Sequence, residues 1–242
     1  ILNVKKNFNP IKNKNYNLVL LHIFRDSPFY KIDRNRIFVD YFDWFENTLE
    51  ILRKSNEIII IKMHPIYKRW GEDQPLIVKK IIKKVFKSSL PKNFKIINSY
   101  PKNELFMNAK RIITYSGTSA IEAIAYSKKP IVICKTTIEE FEKDAVFRPA
   151  SLKEYKNLLL KEKNFDCDFK NIFTAKKLLY ARENISSFRK ILKNDDVYRN
   201  DSKKIINRNF DIILKNSIKY KNEFYNQGIK LAKGEYNTYL KY

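Results

Sequence analysis

The chain has 242 residues, with 49 Lys or Arg against 26 Asp or Glu, a formal net charge of +23 and a pI near 9.8. That length can bury a real core and fits one domain with appended helices, but not two complete Rossmann-like halves. No apolar stretch approaches the roughly 18 uncharged residues of a spanning helix, and the N-terminus carries no signal-peptide pattern, so any membrane contact is expected to be peripheral.

The chain opens on Ile1, and its first apolar run follows about fifteen mostly polar residues, so it is expected to be a piece of something longer. From there to about residue 135, β-rich runs alternate with helical patterns, which predicts βαβ units and a parallel sheet. Strands are predicted near 17–24, 57–63, 94–98, 111–115 and 130–134. Between the first two, Tyr41 to Lys54 carries Phe42, Phe45, Leu49 and Leu52 at helical spacing, with Asp40, Asp43 and Trp44 explained as caps and packing. Pro75 at N1 predicts a helix to about Ser88, with Ile77, Ile81, Ile82 and Val85 on one face. Pro101 starts a short helix through Ala109, and Ser119 to Ser127 forms another. Five strands with four crossovers make an α/β, Rossmann-like parallel sheet.

Past Thr136 the strand signal ends. Ser151 with Glu154 reads as a capping box, predicting a helix to about Lys163; Phe169 to Asn184 and Lys203 to Tyr220 read as further helices. The expected organisation is a Rossmann-like domain over 1–150 and a helical C-terminal extension over 151–242. Residues 200–242 mix aromatic with basic side chains, which suits an anionic membrane interface and equally suits packing on the protein itself.

The net charge would draw polyanions, whether nucleic acid, an anionic leaflet or phosphorylated substrates. Lys, Asn and Ile are abundant throughout, however, so charge alone selects no partner. Cys134 and Cys167 lie in dissimilar contexts and imply neither a disulfide framework nor a zinc site, in keeping with a reducing cytoplasm.

Three loops that follow predicted strands carry polar groups. In an open α/β sheet such loops lie where ligands bind, beyond the carboxyl ends of the strands. His64-Pro65 follows four isoleucines, Lys62 and Met63; a histidine there can donate to a phosphate oxygen or a base carbonyl, or be an ordinary loop histidine. Ser116-Gly117-Thr118-Ser119 precedes an Ala- and Ile-rich helix. Three hydroxyls and a glycine at a helix start suit a phosphate, although capping alone needs one hydroxyl. Glu122 can accept from ribose hydroxyls or complement the helix dipole. Asp26, beyond the first strand, can serve as nucleophile or base at an anomeric carbon, or as a turn residue ahead of Pro28.

Taken together, His22-x-x-x-Asp26-Ser27-Pro28, Phe38-Val39-Asp40-Tyr41-Phe42-Asp43-Trp44, Lys62-Met63-His64-Pro65, Ser116-Gly117-Thr118-Ser119-x-x-Glu122-Ala123 and Lys129-Pro130-Ile131-Val132 resemble the nucleotide-binding half of GT-B glycosyltransferases that use CMP-activated sugars. The β-Kdo transferases of capsule and lipopolysaccharide assembly are the nearer likeness, bacterial sialyltransferases the more distant. The resemblance implies that His64 and Pro65 hold the CMP phosphate and base, that Ser116, Thr118 and Ser119 bind the same phosphate, that Glu122 contacts the ribose, and that Asp26 lies near the transferred sugar. With Lys62 and Gly117 completing the phosphate site, the expected catalytic pair is Asp26 and His64. The donor substrate would be a CMP-sugar such as CMP-Kdo, and neither a cofactor nor a metal would be required. The acceptor would be a glycan or glycolipid, met through an acceptor domain on a missing N-terminal half or a partner chain, at the cytoplasmic face of the inner membrane and without specific nucleic acid. A CDP-glycerol-type polyol-phosphate transferase and a noncatalytic basic anion-binding module are the alternatives.

Overall fold

The computed structural model describes residues 15–25, 37–87, 89–98 and 102–179. By contact the chain divides into two compact units, Ile1–Ala175 and Lys176–Tyr242. Asp26, Ser27 and Pro28 lie outside the described residues, as do Pro101, the predicted helix Lys203 to Tyr220 and the whole aromatic and basic tail.

Five strands, β1 (Tyr16–Leu20), β2 (Ile59–Lys62), β3 (Phe94–Ile97), β4 (Ala109–Thr114) and β5 (Ile131–Val132), form one sheet in the order β3-β2-β1-β4-β5. Every pairing is parallel. Because the chain steps outward from β1 to β3 and then returns to the far side of β1, the order reverses between β1 and β4. The fold is therefore α/β and Rossmann-like, with its switch point at that pair of strands.

Strands covered on both faces must be apolar throughout, and β1 and β2 have no exposed residue. One face is covered by α1 (Tyr41–Leu52) and α2 (Gln74–Phe86), whose buried residues join Val19, Ile59, Ile61 and Ile113 in the larger core. The other is covered by α3 (Lys102–Asn108) and α4 (Thr118–Ala125), where Leu105, Phe106 and Ala123 pack on Leu18, Leu20, Ile60 and Ile112. Crossovers of consistent hand demand this switch of face when the strand order reverses. The larger core also takes in α5 (Leu152–Leu160) through Tyr155, Leu158 and Leu159, and beyond it Phe165; a further helix covers 169–179.

Local signals account for most helix starts. Asp40 caps α1 by accepting the Asp43 amide at 2.8 Å, and Ser151 caps α5 by accepting the Glu154 amide at 3.2 Å. Asp73 caps α2, which puts Pro75 one position further in than expected. The return bond at α5 runs from the Ala150 amide, not that of Ser151, to Glu154 at 2.8 Å, and the helix stops at Leu160, three residues early. The inward face of α1 also differs from the periodic reading: Phe42 is 40% exposed, while Tyr41 and Trp44 are buried.

Trp44 packs inward because its indole N–H has a partner there. Nε1 donates to Tyr155 Oη at 3.0 Å, and Tyr155 Oη lies 2.7 Å from Thr48 Oγ1, all three side chains being buried. Burial raises the Tyr155 phenol well above its usual pKa, so it stays a neutral donor and acceptor. Tyr155→Phe would strand the buried Trp44 indole N–H, while Thr48 Oγ1 keeps its bond to Trp44 O at 2.6 Å, and a loss of about 1–3 kcal/mol is expected in urea unfolding.

Candidate functional site

Register places the site. Leu20 pairs with Lys62 on one side and with Thr114 on the other. Continuing two residues along each parallel strand brings positions 22, 64 and 116 to one level beyond the carboxyl ends, next to the switch point. The ladder persists into this region, with the Leu21 amide donating to Lys62 O at 2.9 Å and the Met63 amide to Ile97 O at 3.0 Å.

His22 forms the centre. Its Nε2 lies 2.9 Å from Thr114 Oγ1 and accepts the Ser116 amide at 3.3 Å, while its ring stacks on Tyr41 with centroids 4.9 Å apart. Accepting a main-chain N–H requires an unprotonated Nε2. The surroundings enforce that state: burial, helped by the charge of nearby His64, pushes the His22 pKa down to about 4.

Gly117 is the N-cap of α4, with φ +93° and no side-chain capping bond. The loop hydroxyls therefore do not act as N-cap, and the first turn of α4 faces the rim. A helix start of this kind attracts an anion through its N–H groups and dipole. A Cβ at Gly117 would come within 3.3 Å of His22 Cε1, so glycine is needed both for φ and for the approach to the ring. Ser116, Thr118 and Ser119 are half-buried at this point. Glu122 lies in the next turn, where it adds to the effect of burial in raising the Tyr126 phenol four residues on.

His64 leads the loop after β2 and is half-buried, followed by exposed Pro65. Its Nδ1 accepts the Ile66 amide at 3.4 Å, which in a neutral ring assigns the proton, and hence the donor, to Nε2. Its own main-chain N–H donates to Gln74 Oε1 at 2.7 Å. Lys62 ends β2 with only 7% exposure, and its ammonium lies 3.5 Å from Met63 O. The structure thus brings His64, Pro65, Ser116, Gly117, Thr118 and Ser119 to one rim, keeps Lys62 in the sheet below it and sets Glu122 one turn back. Asp26 lies outside the described residues; Arg25, before it, donates its amide to Glu72 Oε2 at 3.0 Å.

Sequence reasoning gave His22 no role of its own and passed over Gln74 and Glu72 altogether. His22 had a usable signal, being a histidine just past a strand in a chain with 2 histidines. Gln74 had none, since a glutamine at a helix start is ordinary.

A polar cavity of about 250 Å³ opens at the opposite rim, around Lys110, Lys128 and Lys163, and holds none of the expected site residues. Its lysines have partners: Glu57 and Glu162 for Lys110, Asp166 for Lys128, and the Phe147 ring for Lys163. Among the described residues, no three His, Cys, Asp or Glu side chains cluster as a metal site, and no helix is long and apolar enough to cross a membrane.

Gly117→Ala is expected to cost about 1–3 kcal/mol in denaturant unfolding, from the positive φ together with displacement of His22. The His22 ring, followed by NMR, should titrate near pH 4. Between that value and the unfolded pKa near 6.5 the unfolded chain binds the extra proton, so stability should fall as pH drops through this window, by at most about 3 kcal/mol from this group.

No protein-family model matches the sequence, and neither does any curated protein. Among solved structures the chain is similar to KpsC of Thermosulfurimonas dismutans, a beta Kdo 2,4 transferase, with 15% identity and a TM-score of 0.43 over 71% of this chain and 46% of that one. The chain thus spans under half the length of that protein.

Proposed function

We propose that this chain is the nucleotide-binding half of a glycosyltransferase that takes its sugar from a CMP-activated donor, with Kdo the sugar the motif resemblance favours, and that it acts in surface-polysaccharide synthesis. The observation that carries this reading is the shared level of positions 22, 64 and 116 at the β1/β4 switch point, with the glycine-capped start of α4 beside them. Motifs that resemble those of CMP-sugar transferases thereby occupy the part of a doubly wound sheet where nucleotides bind.

The chemistry follows from charge. As the bond from the anomeric carbon to the phosphate oxygen breaks, negative charge builds on the departing CMP. The first turn of α4 and the Nε2 donor of His64 stabilise that charge, and because both are held in place beforehand they need little reorganisation. Neutral His22 adds no charge of its own but holds Ser116 and the glycine turn in position. Asp26 is the carboxylate assigned to the anomeric carbon, a role that rests on the motif resemblance. The acceptor, a glycan or glycolipid, would be presented by an acceptor domain or partner, with the basic chain resting on an anionic membrane surface.

Calorimetric titration with CMP, CDP, UMP and UDP tests base and phosphate preference together. Cytidine nucleotides are expected to bind and uridine nucleotides to bind more weakly; indifference to all four would sink the proposal. His64→Ala should weaken CMP binding by about 10- to 100-fold, the equivalent of a lost hydrogen bond to a charged group, with the circular dichroism spectrum unchanged. Release of CMP from CMP-Kdo supports the sugar donor, whereas turnover of CDP-glycerol alone would replace it with polyol-phosphate transfer.

A further inference from the structure

Gln74, the first residue of α2, is wholly buried, so its amide must find partners inside the protein. Nε2 donates to His22 O at 2.7 Å and to Glu72 Oε1 at 3.1 Å, while Oε1 accepts the His64 amide at 2.7 Å. The other oxygen of buried Glu72 accepts the Arg25 amide at 3.0 Å. One side chain therefore ties the loop after β1 to the loop after β2. It can do so because a primary amide gives and takes hydrogen bonds at once, without a charge to desolvate. A carboxylate could not donate to His22 O, and a thioether of the same length could do neither.

The tie reaches further than its own contacts. The main chain of His22 is held by Gln74, and the ring of His22 holds Ser116 and abuts Gly117. Gln74 thus sets where His64 stands relative to the start of α4, although it belongs to neither. Helix formation does not ask for this: N1 accepts many residue types, and the cap of α2 is supplied by Asp73.

We propose that Gln74 is a positioning residue for the phosphate of the bound nucleotide, holding the His64 loop at the span from the α4 N-terminus that lets both engage one phosphate group; this rests on the nucleotide reading above. Phosphate recognition needs both donors placed within a few tenths of an ångström, so a slackened span would weaken the phosphate contacts and leave those to the base and ribose largely intact.

The test compares CMP with cytidine by NMR titration of the full chain, at a temperature where circular dichroism shows each variant folded. Wild type should bind CMP well above cytidine. In Gln74→Met, which keeps the length and removes the amide, CMP affinity should fall tenfold or more while cytidine affinity changes little, so that their ratio collapses. Gln74→Leu, which removes donor and acceptor together at a similar size, should show the same collapse. A purely structural role would lower both ligands alike or leave both unchanged, and either result in a folded variant overturns the proposal. Failure of both variants to fold also overturns it, by assigning Gln74 to the fold. A wild-type chain that binds CMP no better than cytidine would remove the underlying nucleotide reading, and that outcome is visible before any substitution is made.

Discussion

The two-sided pairing of β1 is the constraint on which the rest of the structure depends. With Leu20 opposite Lys62 and Thr114 together, the groups two residues further along all three strands must share a level. A slip of one residue against either neighbour would turn every alternate side chain to the opposite face, exchanging the two cores and moving His22 away from Ser116. The register is pinned from the far rim as well. There Glu57 accepts from Asn17 on β1 at 2.7 Å and pairs with Lys110 and Arg111 on β4, each at 2.6 Å. Burial alone would raise the Glu57 carboxyl, but the hydrogen bonds from Lys110 and Asn17 and the charges of Arg111 and Lys110 outweigh it and hold the pKa below its ordinary value. Arg111 is almost fully buried, so this carboxylate is what makes its position tolerable. An ion-pair cluster at one end of the sheet thus helps fix the spacing of neutral groups at the other.

Among the described residues, the candidate site is less basic than the composition suggests. The excess of Lys and Arg would lead one to expect an anion held by ammonium groups. Around the rim, however, the organising groups are a neutral histidine, a buried amide and the start of a helix, with Lys62 withdrawn beneath them. Backbone and dipolar donors of this kind keep their direction when a ligand arrives, whereas a flexible lysine must be ordered first. At the opposite rim the lysines around the polar cavity are largely satisfied by carboxylates and an aromatic ring.

Much of the fold could be read in advance, because the signals involved are short-ranged. Buried parallel strands declare themselves as unbroken apolar runs such as Ile58 to Ile61, and Asp40 and Ser151 declare helix starts through amides three residues away. Where the reading failed, the deciding partner was remote. Phe42 looked like a core residue of α1 and is partly exposed, because the inward face of that helix was set by the bond from Trp44 to Tyr155, 111 residues along the chain. Periodicity supplies the spacing of an apolar stripe but not which neighbour it must meet.

The same division runs through the site. The sequence by itself determined the α/β class, the loops that follow strands and the residue types they carry, His64 with Pro65 and the Ser116–Ser119 turn, since each depends on neighbours within one strand or one helical turn. Only the tertiary structure decided that His22 stands between those loops as a neutral ring, that Gly117 rather than a hydroxyl caps α4, and that Gln74 ties β1 to β2. Those roles rest on contacts between residues 92 apart for His22 with Thr114 and 52 apart for Gln74 with His22. Contacts so distant in sequence are fixed by sheet order and strand register, which are collective outcomes of packing two cores at once and leave no local trace in the sequence.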